Sequence, residues 1–135
     1  MPDLSTEKQS LIVPLIEFLN NESDIIFCYL FGSFIEQERY HDIDLAIFAK
    51  QSVLEENPLY QFSLAQRCEK VLNFSVDISV LNYAPDHFVH HASRGILILN
   101  RDPEWHEEFI TAAWSRYFDF APKRKAFIEE LAARQ

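Results

Sequence analysis

Two short polar motifs stand between apolar runs in the first half of the chain. Gly32 and Ser33 follow one apolar run, and after eight further residues Asp42 and Asp44 open the next. Side chains at positions i and i+2 of a strand share a face, so the two carboxylates would lie side by side with Ile43 turned into the core. Magnesium prefers such oxygen ligands together with substrate phosphates, and a Gly-Ser turn can donate hydrogen bonds to phosphates. The pattern predicts metal-assisted chemistry on a nucleotide.

A third carboxylate lies in a later predicted strand. The segment 74–81 alternates, with four apolar residues on one face and Asp77 between two serines on the other. An acid in such a strand is costly unless it has a partner. Asp77 is therefore the candidate third ligand of a two-metal site, and also a candidate general base. The alternatives are that Asp77 only faces solvent and that Asp42 and Asp44 only end a turn.

Together these residues resemble the nucleotidyltransferase superfamily of the polymerase-beta type. The small size and the segments 101–105 and 117–122 are similar to its minimal nucleotidyltransferase (MNT) branch, and the resemblance spans about residues 11–125. It implies a polymerase-beta-like α/β (α+β) fold, with a small mixed sheet of about four strands flanked by helices. It also implies transfer of a nucleoside monophosphate from Mg-ATP with loss of pyrophosphate.

The resemblance also implies a role for each motif residue. Gly32 and Ser33 would grip the triphosphate of ATP, Asp42 and Asp44 would bind Mg²⁺, and Asp77 would bind metal and activate the acceptor. Many MNT proteins are antitoxins paired with a HEPN toxin, and active members adenylylate a tyrosine of that toxin. The implied function is a Mg-ATP-dependent protein adenylyltransferase that neutralises a cognate HEPN toxin.

Two other functions stay open on the sequence alone. A catalytically weak antitoxin would neutralise its toxin by direct binding, and a small-molecule nucleotidyltransferase would modify an antibiotic, although such enzymes normally carry a further helical domain. The loop between the two motifs bears on this choice, because family members usually have a longer loop with an arginine after the serine. Here Phe34 follows the serine. Arg39 is a candidate substitute, or else the surface partner of Glu36 or Glu38.

Composition limits the class of protein and its partners. The 135 residues are 48% apolar and 14% aromatic, which predicts one domain over 1–135. A net charge of −9 argues against nucleic acid or an anionic membrane as a partner, and favours a basic protein. Two cysteines, Cys28 and Cys68, make no disulfide framework and are predicted to be buried thiols. The lack of a signal-like or membrane-spanning run predicts a cytoplasmic location.

Hydrophobic periodicity predicts alternating helices and strands. Helices are predicted over 4–20, 59–72, about 86–93, 103–118 and 122–133, and strands over 25–31, 43–48, 74–81 and 96–99. Ser5 or Thr6 would cap the first helix, and Gly95 would cap the helix that ends near Arg94. The face predicted for the helix 59–72 includes Leu59 and Phe62.

Several other groups suggest weaker hypotheses. His87, His90 and His91 could bind zinc from one helix face, but a polar face is the favoured interpretation. His41 could touch a phosphate, although a surface role in the loop is favoured. A C-terminal aromatic set is predicted to pack mainly on the sheet, and its exposed members would suit a toxin-binding or homo-oligomer surface. Helical spacing predicts that Phe109, Ala113, Tyr117 and Phe120 pack on the sheet.

Overall fold

The computed structural model describes residues 4–134, without the side chains of residues 120 and 121. The elements are α1 (Thr6–Asn20), β1 (Ile25–Phe31), α2 (Ser33–Glu36), β2 (Ile43–Ala49), α3 (Gln51–Glu56), α4 (Tyr60–Leu72), β3 (Val76–Val80), α5 (Asp86–Ser93), β4 (Ile96–Asn100) and α6 (Pro103–Ala133). All four predicted strands are present, and the bounds of β1 agree with the prediction.

The four strands form one mixed sheet in the order β3-β2-β1-β4. Strand β1 lies antiparallel to both β2 and β4, whereas β2 and β3 are parallel. A parallel pair needs a long crossover connection, and α3 and α4 supply it. This arrangement confirms the predicted mixed α/β fold of about four strands flanked by helices.

Helices cover both faces of the sheet. Ile12 of α1 and Leu64 of α4 pack on one face against Leu45, while Val89 of α5 and Ala113 of α6 pack on the other face with Ala46. Each large apolar side chain buried in this way contributes about 1.5–3 kcal/mol to stability. The apolar run of β2 is long because both of its faces are buried, and its polar start lies on the side of α5 and α6.

Local signals explain the ends of several helices. The Ser5 hydroxyl accepts a hydrogen bond from the Lys8 backbone N–H at 3.3 Å, which confirms Ser5 as the cap of α1. Helix α4 is capped at its C-terminal end by Asn73, whose φ of 52° lies in the left-handed region. The Asp102 carboxylate caps α6 by accepting from the Trp105 backbone N–H at 3.1 Å.

The C-terminal segment differs from the prediction, because one helix, α6, replaces the two predicted over 103–118 and 122–133. Pro122 lies inside this helix. Proline removes one backbone donor and strains one turn, but the hydrogen bonds on either side still continue the helix. Phe109 and Ala113 pack on the sheet as predicted, and Tyr117 packs on α5, while the side chain of Phe120 lies outside the described residues.

The structure differs from the sequence prediction at three further places. The predicted face of α4 is wrong at Leu59 and Phe62, because these side chains are 64% and 59% exposed. Leu59 precedes the helix, and α1 covers the side of α4 that carries Leu64 and Cys68. The short helix α3 was not predicted. Arg94, not Gly95, is the C-cap of α5, and Gly95 lacks the positive φ of a left-handed cap; a Cβ at Gly95 would instead collide with the carbonyl oxygen of Leu30.

Both cysteines are buried free thiols, as predicted. Burial raises the pKa of Cys28, and it raises the pKa of Cys68 to about 12. Neither thiol is therefore poised as a nucleophile at neutral pH. Within residues 4–134, no helix combines the length and the apolar character needed to cross a bilayer.

Candidate active site

Neighbouring strands bring two of the predicted site carboxylates together. Asp44 of β2 and Asp77 of β3 are direct partners in the parallel register, and Asp42 lies two residues before Asp44. Ile43 is fully buried, as the alternation predicts. Asp44 is half-buried, whereas Asp42 and Asp77 are exposed. The structure therefore places the three carboxylates at one end of β2, on the sheet face that α5 and α6 cover.

The pKa of Asp44 reflects its partial burial and the two neighbouring carboxylates. Partial burial raises the pKa of Asp44, and the negative charges of Asp77 and Asp42 raise it further. His91 of α5 acts in the opposite direction and lowers the pKa of Asp44. When the pKa of a carboxyl group is raised in this way, its charged form is unfavourable until a cation binds beside it.

Gly32 lies directly against Asp44. The φ of +83° and ψ of −156° at Gly32 fall in a region that other residues avoid, and a Cβ at this position would collide with the Asp44 Oδ2 atom. The β-ladder explains the contact, because Phe31, just before Gly32, pairs with Asp44. The Gly-Ser turn and the first aspartate motif thus meet in space as the sequence predicts, although their roles in binding stay predictions.

The donor set fits magnesium by its chemistry. Asp42, Asp44 and Asp77 offer carboxylate oxygens, and Mg²⁺ is usually held by one or two carboxylates together with water and substrate phosphates. Among residues 4–134, no group of three or more His, Cys, Asp or Glu side chains is arranged to hold a metal ion. The two-metal site with three protein ligands therefore stays a prediction, and the carboxylates present fit a site that substrate oxygens would complete.

Residues at the end of α5 and just after it complete the surroundings of Gly32, and the sequence pattern did not predict them as site residues. A cavity of about 110 Å³ is lined by Phe31, Gly32, Ile35, Glu36, His91, Arg94 and Gly95. The His91 ring packs edge-on against Phe31, with ring centroids 5.6 Å apart. The three-residue spacing of His91 and Arg94 was the available signal, but only the fold reveals that they approach Gly32.

The histidines of α5 have different surroundings. His90 stacks on the Tyr117 ring of α6 with centroids 4.2 Å apart, so it does not belong to a polar surface. His87 and His91 are exposed, which agrees with the favoured interpretation of a polar face.

A larger cavity, of about 880 Å³, lies beside the loop and contains the other predicted candidates. Lys8, Arg39, Tyr40 and His41 are among its lining residues. The Lys8 ammonium donates a hydrogen bond to the Gln37 carbonyl at 2.6 Å and lies over the Tyr40 ring. Neither Gly32 nor the three aspartates line this cavity, so its size alone does not make it the catalytic centre.

A glycine turn placed against paired aspartates suits metal-assisted transfer of a phosphoryl or nucleotidyl group. The family model described as polymerase beta, nucleotidyltransferase matches residues 14–104, and the chain belongs to this family. The match includes all five predicted site residues. No curated protein matches the chain significantly.

Solved structures of toxin-antitoxin complexes contain chains with the same fold. One is the complex of a tri-AMPylated Shewanella oneidensis HEPN toxin with an MNT antitoxin, where the match has a TM-score of 0.69 and 23% identity over 93% of this chain and 98% of the other. A toxin-antitoxin complex with AMP-PNP matches with a TM-score of 0.67 and 24% identity, over 91% and 97% of the two chains. The MntA-HepT complex matches with a TM-score of 0.65 and 21% identity, over 95% and 99%.

Proposed function

We propose that this chain is an MNT-type antitoxin that acts as a protein adenylyltransferase. It would transfer AMP from ATP to a tyrosine hydroxyl of a cognate HEPN toxin and so neutralise that toxin in the cytoplasm. The observation that carries the proposal is the meeting of Gly32 with Asp44 and of Asp44 with Asp77 across β1, β2 and β3. The solved toxin-antitoxin complexes, one with an AMPylated toxin and one with an ATP analogue, support the choice of donor and acceptor.

The reaction would be a displacement at the α-phosphorus of ATP. The tyrosine oxygen forms a bond to this phosphorus while the bond to the bridging oxygen breaks, and pyrophosphate leaves with the electron pair. The carboxylate of Asp77 accepts the phenol proton. Gly32 and Ser33 hold the phosphate chain, since glycine lets the backbone approach closely and the serine hydroxyl donates a hydrogen bond.

Asp42, Asp44 and Asp77 would hold magnesium. When bound, Mg²⁺ neutralises charge on the phosphates and stabilises the attacking and leaving oxygens. The surroundings of Asp44 support this role, because burial and then the charges of Asp77 and Asp42 raise its pKa, and a shared cation would offset these effects.

The far end of α6 offers a surface for the partner. Phe127, Ile128 and Leu131 lie within one turn and are 60%, 57% and 44% exposed. Exposed apolar stripes of this kind mark protein contacts more often than bare surface. The stripe also supports a second candidate function, in which the chain neutralises its toxin by contact alone.

The test combines purified chain, its genomic neighbour, MgCl₂ and labelled ATP. We expect label on the neighbour with the native chain, and at least about a hundredfold less with Asp42→Asn/Asp44→Asn, because loss of electrostatic stabilisation of this kind costs several kcal/mol. Glu55→Gln/Glu56→Gln is the matched control, since it also removes two negative charges, here from exposed side chains of α3.

Intact mass and peptide mapping would identify the modified residue. Label on a tyrosine supports the proposal, and label on another residue overturns the acceptor assignment. If toxicity is neutralised without any label, and equally well by the aspartate variant, the chain acts by contact alone.

A further inference from the structure

The proposed nucleotide site is strongly acidic, although its substrate would be a polyanion. Asp42, Asp44 and Asp77 all lie at the same end of β2. Phosphate oxygens beside these groups need cationic partners in addition to the metal. A positively charged side chain close to Gly32 would offset the repulsion between these carboxylates and the phosphates.

The loop after Gly32 does not supply this charge. The position after Ser33 is Phe34, whose side chain is fully buried in the core. Arg39 lines the larger cavity together with Lys8, and that cavity does not include Gly32.

The residue that follows α5 supplies a positive charge near Gly32 instead. Arg94 follows α5 and lines the small cavity together with Gly32 and His91. The backbone here is fixed, because Gly95 is so close to β1 that a Cβ would collide with the Leu30 carbonyl and lie 2.9 Å from the Cβ of Phe31. Phe31 directly precedes Gly32, so this contact sets the distance from Arg94 to the Gly-Ser turn.

The charge of Arg94 is available for a ligand. Other arginines are neutralised or occupied: Arg67 pairs with Glu22, Arg116 pairs with Asp86, and Arg101 donates to backbone carbonyls. Within the described part of the chain, Arg94 forms no ion pair with a carboxylate. Glu36 also lines this cavity, but within the described residues it forms no ion pair with Arg94.

We infer that Arg94 is a binding residue for the phosphate chain of a nucleoside triphosphate, reaching it from α5 across the Gly32 cavity. The guanidinium has a planar fork of donors that matches phosphate oxygens. This inference rests on the proposed function, because it assigns a further residue to the same nucleotide site.

Binding of a non-hydrolysable ATP analogue to the full chain in MgCl₂, measured by titration calorimetry without any partner, tests the inference. We expect Arg94→Gln to weaken binding by at least about tenfold, since a charged hydrogen bond contributes about that much. Arg94→Lys should lose less affinity, because lysine keeps the positive charge but lacks the planar fork of donors. Binding of AMP should change far less than binding of the triphosphate.

Arg134→Gln is the matched control, since it removes an exposed arginine at the far end of α6, and it should leave affinity within about twofold. Circular dichroism and melting curves check that each variant is folded. Equal affinity of native chain and Arg94→Gln would overturn the inference alone. An equal loss in Arg134→Gln would also overturn it, because the effect would then reflect net charge. A native chain that binds no triphosphate would overturn the proposed function as well.

Discussion

At the scale of single residues, the candidate site carries an electrostatic penalty that the fold tolerates. Asp44 and Asp77 are placed opposite each other on adjacent strands, where like charges are destabilising. Gly32 adds a backbone conformation that is unfavourable for other residues. Active sites commonly hold such unfavourable features because function requires them. The penalty at Asp44 can be measured as a gain in stability when its charge is removed.

We therefore predict that Asp44→Asn raises the free energy of unfolding at pH 7 by a few tenths to about 1 kcal/mol. The pKa of Asp44 in the folded protein is raised above its ordinary value of 3.8. The folded state thus binds the proton more readily than the unfolded state, and native stability falls as pH rises through the raised pKa. The gain in the variant should grow above about pH 4 and vanish at lower pH. Urea unfolding without divalent metal, repeated between pH 4 and 8, measures it.

Asp119→Asn provides the control for this prediction, because Asp119 is an exposed carboxylate on α6, remote in sequence from the three aspartates. It should leave stability nearly unchanged across the same pH range. A loss of stability in Asp44→Asn at pH 7 would contradict the prediction and would mean that Asp44 makes a stabilising contact in the native chain.

Sequence alternation predicted the positions of several site residues because the signal is local. Ile43 between two aspartates and Asp77 between two serines each follow the two-residue period of a strand. Arg94 could not be found in this way. It lies more than sixty residues from Gly32 along the chain, and the two approach only because β4 pairs with β1. A long-range pairing of this kind leaves no periodic trace in the sequence.

At the scale of elements, apolar runs predicted the strands more accurately than the helices. Strands β1 and β2 are buried on both faces, so their continuous apolar runs mark their bounds closely. Helix α3 has no buried residue, and its sequence therefore carries no amphipathic pattern to predict it. Pro122 suggested a break in α6 that the structure does not contain. A proline shows where one hydrogen bond is missing, not whether the helix resumes.

The junction of α5 and β4 is the element on which the inferred phosphate contact depends. We predict that Gly95→Ala lowers the free energy of unfolding by about 1–3 kcal/mol, because the added methyl group has to displace the backbone of Leu30. The same displacement moves Arg94 away from Gly32, so affinity for the ATP analogue should also fall. Urea unfolding and calorimetric titration measure the two effects separately.

His87→Ala is the comparison for this junction, since His87 is an exposed residue of the same helix. It should change stability by no more than about 0.5 kcal/mol and should not alter nucleotide affinity. An unchanged free energy of unfolding in Gly95→Ala would contradict the close packing of this turn on β1.

At the scale of the whole molecule, charge is unevenly distributed. The chain has a net charge of −9, yet residues 122–135 contain four basic and two acidic side chains. The part of this segment that lies in α6 also bears the exposed stripe of Phe127, Ile128 and Leu131. The acidic composition suggested a basic partner, but this basic segment with its exposed apolar stripe would attract an acidic one. The overall charge is therefore a poor guide to the partner surface.

If the stripe binds the toxin, binding and catalysis should be separable on the same chain. We predict that Phe127→Ser/Ile128→Ser weakens association with the toxin by at least about tenfold, because buried apolar anchors contribute most of the affinity of an interface. Affinity for the ATP analogue should not change, since the stripe lies far along α6 from Gly32. Conversely, Asp42→Asn/Asp44→Asn should keep its affinity for the toxin while losing the transfer of AMP.

Leu59→Ser/Phe62→Ser is the matched control for the partner surface, because it removes one aliphatic and one phenylalanine side chain that are similarly exposed at the start of α4. Titration of each variant with purified toxin compares the affinities directly. Loss of association in both double variants would indicate general damage to an apolar surface. Native affinity in Phe127→Ser/Ile128→Ser would exclude the stripe as the toxin contact, because substitution at two of its three exposed apolar residues would then leave the complex intact.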